Sequence, residues 1–281
     1  TWIPPWSQET GTYSHEVGHS IGLPHSGWVY QDYDSPWDVM SGGDLYNPIS
    51  CGSYYSDNSA AMRTIYCSTP ADIIAVYKDI LGWIDSNHLL TLPAGNQGTA
   101  VIDSLSAPLT TAYKMMKVCI SGYPCLSGGA KSRYLTAEVR TRYGYDQYLP
   151  GEGVLIHAYQ GDRPLVSGSC FFVADDPPAF PVDSTPGDFS TSTCSGSALS
   201  NGQWNVGQSY SSALVLGSNV IFVASVAGAS PNPSTYTVTV TGNISNSVSQ
   251  METLVRSASS NTAWFVPVSY THLRAHETVL D

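Results

Sequence analysis

Eleven residues near the start of the chain, His15-Glu16-Val17-Gly18-His19-Ser20-Ile21-Gly22-Leu23-Pro24-His25, constrain the fold more than any other stretch. On an α-helix, side chains four residues apart lie one turn above each other, so His15 and His19 can offer two imidazoles to one metal ion. Glu16 is offset from that face and poorly placed to ligate. Its carboxylate still reaches a water at the metal, where it can serve as general base. Gly22 adopts a left-handed conformation at little cost and ends the helix, and Pro24 keeps the helix from resuming. The resulting turn returns His25 as a third ligand. Three neutral imidazoles leave one position of a tetrahedral Zn2+ open, which is the composition of a catalytic rather than a structural site. A lone HExxH occurs by chance on ordinary helices, but three histidines, a glutamate and a glycine in this register rarely do.

The extended motif resembles that of the metzincin metalloendopeptidases, which place a methionine-containing turn beneath the metal. Asp38-Val39-Met40-Ser41-Gly42-Gly43 fits such a turn with Met40 as its methionine. A plain core methionine would read the same way, since the family's methionine packs under the site without ligating. Tyr13-Ser14 before the motif and Tyr33-Asp34-Ser35-Pro36-Trp37 before the turn resemble the gametolysin and immune-inhibitor-A-like branches. The resemblance implies zinc held by His15, His19 and His25, with Glu16 as catalytic base. It further implies secretion, and a protein or peptide substrate of extracellular or cell-wall type. The expected fold is α+β. Residues 1–87 would form the C-terminal half of a metzincin-like catalytic domain, with active-site helix, Met-turn and closing helix, and residues 88–266 an antiparallel β-sandwich-like domain. The sheet and first helix that precede the motif in that family are not in the chain, so the sequence reads as a fragment.

Composition narrows the partners. Charged residues make up 12% of the 281 residues, about half the usual ~25%, as in secreted β-rich proteins. A net charge of −11 without a basic cluster argues against nucleic acid and anionic membrane surfaces as partners. No apolar run reaches the ~18 residues of a spanning helix. The six cysteines form no CxxC knuckle, so disulfides are expected rather than a second metal site. They admit about 15 pairings. Nearest neighbours in sequence, Cys51 with Cys67, Cys119 with Cys125 and Cys170 with Cys194, are the simplest choice and suit an oxidising compartment. Asn243-Ile244-Ser245 is a glycosylation sequon.

Beyond the turn, Gly42 to Ser68 reads as a tyrosine-rich loop, which the family resemblance implies lines a specificity pocket and which otherwise is a surface loop stapled for stability alone. Thr69-Pro70-Ala71-Asp72 reads as a helix start with Thr69 as N-cap, and Ile73, Ile74, Val76, Tyr77, Ile80, Leu81 and Trp83 give that helix an apolar face. From Leu89 onward the period becomes two. Leu135, Ala137 and Val139 alternate with polar residues and pair with Val154 to Tyr159, while Val220–Val226 reads as the more buried partner of the late strand Thr235–Thr241. Glu138 reads as a solvated strand residue, His157 as a packed one and His88 as a surface histidine. With Glu152 they supply no partner spacing for a second active site. The acidic loop at Asp175 and Asp176 lacks a Ca2+ motif. Residues 267–281 resemble a translated sequencing adaptor, which makes His272, His276 and Glu277 a spurious metal cluster. A reading of a different class makes the β region a non-catalytic adhesion or carbohydrate-binding module with a structural zinc site. An intact Glu16 counts against it, because a structural site needs no base.

Overall fold

Strand Arg133–Arg140 is buried along its whole length, on both faces, and the layers of the molecule are stacked on either side of it. In the computed structural model the described residues are 10–27, 35–44, 49–55, 62–67, 70–163, 178–182, 184, 189–190, 195–196, 202–211, 220–228 and 235–241. The helices are α1 (Thr10–Ser20) and α2 (Ala75–Ile80), with single 3-10 turns at Gly42–Asp44 and Gly144–Tyr148. Strands β1 (Ile49–Tyr55) and β2 (Met62–Cys67) form a hairpin, followed by β3 (Leu89–Leu92), β4 (Gly98–Asp103), β5 (Met115–Cys119), β6 (Arg133–Arg140), β7 (Gly153–Gln160) and β8 (Ala179–Pro181). Then come β9 (Phe189–Ser190), β10 (Ser195–Gly196), β11 (Ser209–Ser211), β12 (Val220–Ala227) and β13 (Thr235–Thr241).

Two sheets carry the core. One has the order β3-β5-β6-β7-β8, with β3 parallel to β5 and the other neighbours antiparallel. The second, β11-β12-β13-β4, is antiparallel throughout. Their facing sides interlock through Leu135, Ala137 and Val139 of β6, Ile221 and Val223 of β12, and Tyr236, Val238 and Val240 of β13. Threonines of β13 occupy the alternate, less buried positions, as the two-residue period of a strand dictates. The two expected strand pairs are present, β6 with β7 and β12 with β13.

On the other side of β6 and β7, Tyr134 and Tyr159 stack at 4.7 Å between ring centroids. They share a second apolar cluster with Leu23, Val39, Met40, Ile74, Val76 and Tyr77. The metal-motif segment, the methionine turn and α2 therefore form a layer seated on the five-stranded sheet. Cys119 and Cys125 form a disulfide at the end of β5.

This architecture corrects the expected α+β fold. The chain is mostly β, with two short α-helices among the described residues and one mixed sheet beside the antiparallel one. It is not a helix-rich catalytic half followed by a plain antiparallel sandwich. One cause is the fate of the closing helix, which begins at Ala75 instead of Pro70 and is six residues long. The backbone N–H groups of residues 72 to 75 donate to carboxylates: Asp72 to Asp146 (2.9 Å), Ile73 to Asp72 (2.8 Å), Ile74 to Asp38 (3.3 Å) and Ala75 to Glu138 (2.6 Å). Charged acceptors of this kind make stronger hydrogen bonds than a helix carbonyl, and they hold Ile74 extended at φ −60°, ψ 149°. Trp83 consequently lies past the helix end and is 59% exposed. The second cause is the loop expected over Gly42–Ser68, much of which pairs as the β1–β2 hairpin.

The Cys51–Cys67 and Cys170–Cys194 pairings, the Thr69 side chain, Asp175 and Asp176, the Asn243 sequon and residues 267–281 fall outside the described residues and side chains. Among the described residues no helix is long and apolar enough to cross a membrane.

Candidate metal centre

Both ligand-bearing turns of α1 point their imidazoles to one place. His15 Nε2 and His19 Nε2 are 3.0 Å apart, and His25 Nε2 is 3.1 Å from that of His19. The ligand atoms of all three lie within 4.8 Å of one another. Zn–N bonds of about 2.0–2.1 Å at tetrahedral angles put nitrogens about 3.3 Å apart, close to what is seen. Gly22 stands at φ +93°, and the helix closes with Gly22 N–H donating to His19 O and Leu23 N–H to Gly18 O, each 3.0 Å. These bonds make a Schellman turn, and it is this turn that folds His25 back over the site.

Protons decide what the cluster can bind. His15 Nδ1 donates to Val39 O at 2.7 Å and His19 Nδ1 donates to Leu23 O at 2.8 Å. With Nδ1 committed as donor, the neutral rings carry a lone pair on Nε2. The 3.0 Å approach of these two nitrogens then sets lone pair against lone pair. That contact is favourable only with a proton or a cation between them. Burial lowers the pKa of His15, outweighing its bond to the Val39 carbonyl, which favours the neutral, ligating form. Three converging imidazole nitrogens, two of them fixed as lone-pair donors, suit zinc by their chemistry.

The methionine turn supports this arrangement from below. Met40 is fully buried, and a Cβ added at Gly18 would lie 2.2 Å from its sulfur. Gly18 is therefore the position that lets the turn touch the helix between its two histidines. Ser26 N–H donates to Met40 O at 3.0 Å, and the Ser26 hydroxyl donates to the Asp38 carboxylate. Asp38 also accepts from the N–H groups of Met40 and Ile74. Burial raises its pKa to about 6 in spite of these donors. Glu16 is partly buried on α1, close enough for its charge to act on His15.

A buried ionic knot lies behind the turn. Arg140 donates to both oxygens of Asp146 (2.8 and 2.5 Å), to Glu138 Oε1 (3.1 Å), to Trp37 O (2.6 Å) and to Asp72 O (3.1 Å). Burial works against its charge, but Asp146 and Glu138 more than compensate and hold it protonated. Burial raises the Glu138 pKa to about 7 against the pull of Arg140. Glu138, expected to be solvated, is thus fully buried and caps α2. His157 Nδ1 lies 3.8 Å from Glu138 Oε2, and burial, aided by Arg140, lowers its pKa to about 3.

His88 and Glu152 take other partners. His88 sits between Asp85 Oδ2 (2.5 Å) and Thr110 O (2.9 Å), and Glu152 Oε1 accepts from Arg142 N–H at 3.1 Å. Sequence reasoning missed Gly18, Asp38, Tyr77 and the Arg140 group. Asp38, two residues before Met40, was the available signal, whereas Glu138 and Arg140 read as ordinary polar positions of an alternating strand. No family model matches the sequence, and no curated protein matches it.

Proposed function

We propose that the chain carries the centre of a secreted zinc-dependent endopeptidase that hydrolyses peptide bonds of extracellular or cell-wall proteins. The observation that carries this reading is the convergence of three imidazole Nε2 atoms, two of them fixed as lone-pair donors by Nδ1–H bonds to Val39 O and Leu23 O. The motif's resemblance to the metzincin endopeptidases and the Cys119–Cys125 disulfide support it further. His15, His19 and His25 would hold zinc. When bound, the ion supplies the positive charge that polarises a scissile carbonyl and makes water a nucleophile near neutral pH. Glu16 takes the water proton and passes it to the leaving amine. Val39 O and Leu23 O keep two imidazoles in the ligating tautomer and orientation, as outer partners of metal-bound histidines do. Met40 supports the floor of the site.

Glu16→Ala tests the reading directly. Zinc content, measured by elemental analysis, should stay the same, because the three histidines are untouched. Peptide cleavage should fall by ~10²–10⁴-fold, the usual cost of a lost general base. Equal cleavage rates in zinc-loaded wild type and variant would remove Glu16 from the mechanism. A folded protein that takes up zinc with no peptidase activity to lose would favour the adhesion or carbohydrate-binding module.

A further inference from the structure

Two of the three candidate ligands belong to α1, and the helix itself sets their spacing. His25 lies beyond the helix end, so its place must be set by something else. The Schellman turn fixes the chain as far as Leu23. Past it, the Tyr77 hydroxyl donates to the His25 carbonyl at 2.5 Å, and the Ser26 N–H reaches Met40 O at 3.0 Å. A carbonyl held in place fixes the backbone torsion that also aims the side chain of the same residue.

Tyr77 is well suited to this task. It is fully buried, and its ring packs in the cluster that contains Leu23, Val39 and Met40. The helix carrying it is anchored at both ends. Its first amide is held by Glu138 and the preceding one by Asp38. Its last turn closes on Gly82, at φ +71°, with Trp83 N–H donating to Lys78 O at 2.8 Å. A hydroxyl on so fixed a frame can hold a loop carbonyl without moving.

We propose that Tyr77 is a positioning residue of the metal site, whose hydroxyl seats the third histidine by fixing the carbonyl of His25. The inference rests on the reading of His15, His19 and His25 as metal ligands. It makes the geometry of the site a property of α2 and the sheet beneath it as well as of the motif.

The test is Tyr77→Phe in the full chain, which deletes the hydroxyl and keeps the ring. Co2+ serves as the spectroscopic probe and Zn2+ as the competing ion. The variant should fold with its thermal transition intact, bind zinc about tenfold more weakly, as loss of an outer-shell partner typically costs, and show altered visible bands of tetrahedral Co2+. Val76→Ala loosens the same buried helix but spares the hydroxyl, so it should lower thermal stability and leave the cobalt bands unchanged. Ser26→Ala, which removes the tether to Asp38, should shift the bands as Tyr77→Phe does. If wild type and Tyr77→Phe share cobalt spectra and zinc affinity, the inference is wrong while the metal site stands. If the bands follow thermal stability across all three variants, the role of Tyr77 is structural only and the inference is likewise overturned. A folded wild type that takes up neither ion overturns the metal reading and this inference together.

Discussion

Gly18→Ala sets two effects of opposite sign against each other. An alanine in the middle of a helix is favoured over glycine by about 1 kcal/mol. If α1 were an ordinary surface helix, the variant would melt about 2–4 °C higher, the shift that 1 kcal/mol produces in a domain of 150–250 residues. The structure predicts that this gain is cancelled or reversed. The new Cβ would sit 2.2 Å from the Met40 sulfur, whereas non-bonded heavy atoms settle at about 3.5–4.0 Å. Met40 must therefore withdraw by roughly 1.5 Å inside a site where it is fully buried. Its backbone is tied to Ser26 N–H and to Asp38. Overpacking of this kind costs about 1–3 kcal/mol, so the balance runs from neutral to about 2 kcal/mol destabilising. Val39, whose carbonyl orients His15, adjoins Met40, so any part of the displacement passed to the backbone disturbs that bond. Zinc affinity should fall about 10-fold or more, the loss seen when an outer partner of a ligating histidine is disturbed. Thermal melts and competitive zinc titration read both quantities. Adding Met40→Ala should relieve the clash and give a coupling energy of about 0.5–3 kcal/mol. A variant that melts 2–4 °C higher with unchanged zinc affinity would refute the close contact between helix and turn.

Other perturbations reach deeper layers. Arg140→Met leaves Asp146 and Glu138 buried without their cation and should cost about 3–5 kcal/mol in chemical denaturation, with zinc affinity falling as the Trp37 carbonyl is released. His157 has its pKa lowered from 6.5 to about 3 in the fold, so its neutral form contributes stability present above pH 6.5 and lost as pH falls toward 3. His157→Gln removes that dependence. Between those limits wild type should lose up to about 1.4 kcal/mol per pH unit relative to the variant on acidification, as urea titrations at several pH values would report, and parallel pH profiles would show that His157 titrates normally. Glu138, raised to about 7, and Asp38, raised to about 6, act in the opposite sense, adding stability at low pH that is lost as pH rises through those values, so the variant should gain more stability than wild type on acidification from neutrality.

What the sequence revealed was local. His15 and His19 are one turn apart on a single helix, Gly22 needs only its own backbone to end that helix, and the His25 return follows within three residues. Strands such as Thr235–Thr241 were equally legible, because alternation writes one buried face directly into the sequence. Glu138 and Arg140 were not legible, since alternation cannot tell a solvated polar face from one buried against another layer. Residues 70–74 misled for a related reason. Pro70 and Asp72 follow local helix-start rules, yet Asp146, Asp38 and Glu138 reach the same amides from 36 to 74 residues away, and nothing in the local sequence announces that competition. Tyr77 looked like one more apolar face residue, and only its hydroxyl, aimed at His25 O, distinguishes it.

The carboxylates that hold the start of α2 also bear on the order in which the molecule assembles. Six residues are far fewer than the ~12–15 an isolated helix needs to persist in water, so α2 exists only once its distant acceptors have arrived. Those partners close long loops, 63 residues from Ala75 to Glu138 and 103 from Trp37 to Arg140, and contacts of such separation form late. With 11 residues α1 is also short of the length an isolated helix needs, so it too needs its seat on the sheet. His15, His19 and His25 are brought together only with the closed sheet. On the proposed zinc reading, tight metal uptake is in this way deferred to the native state.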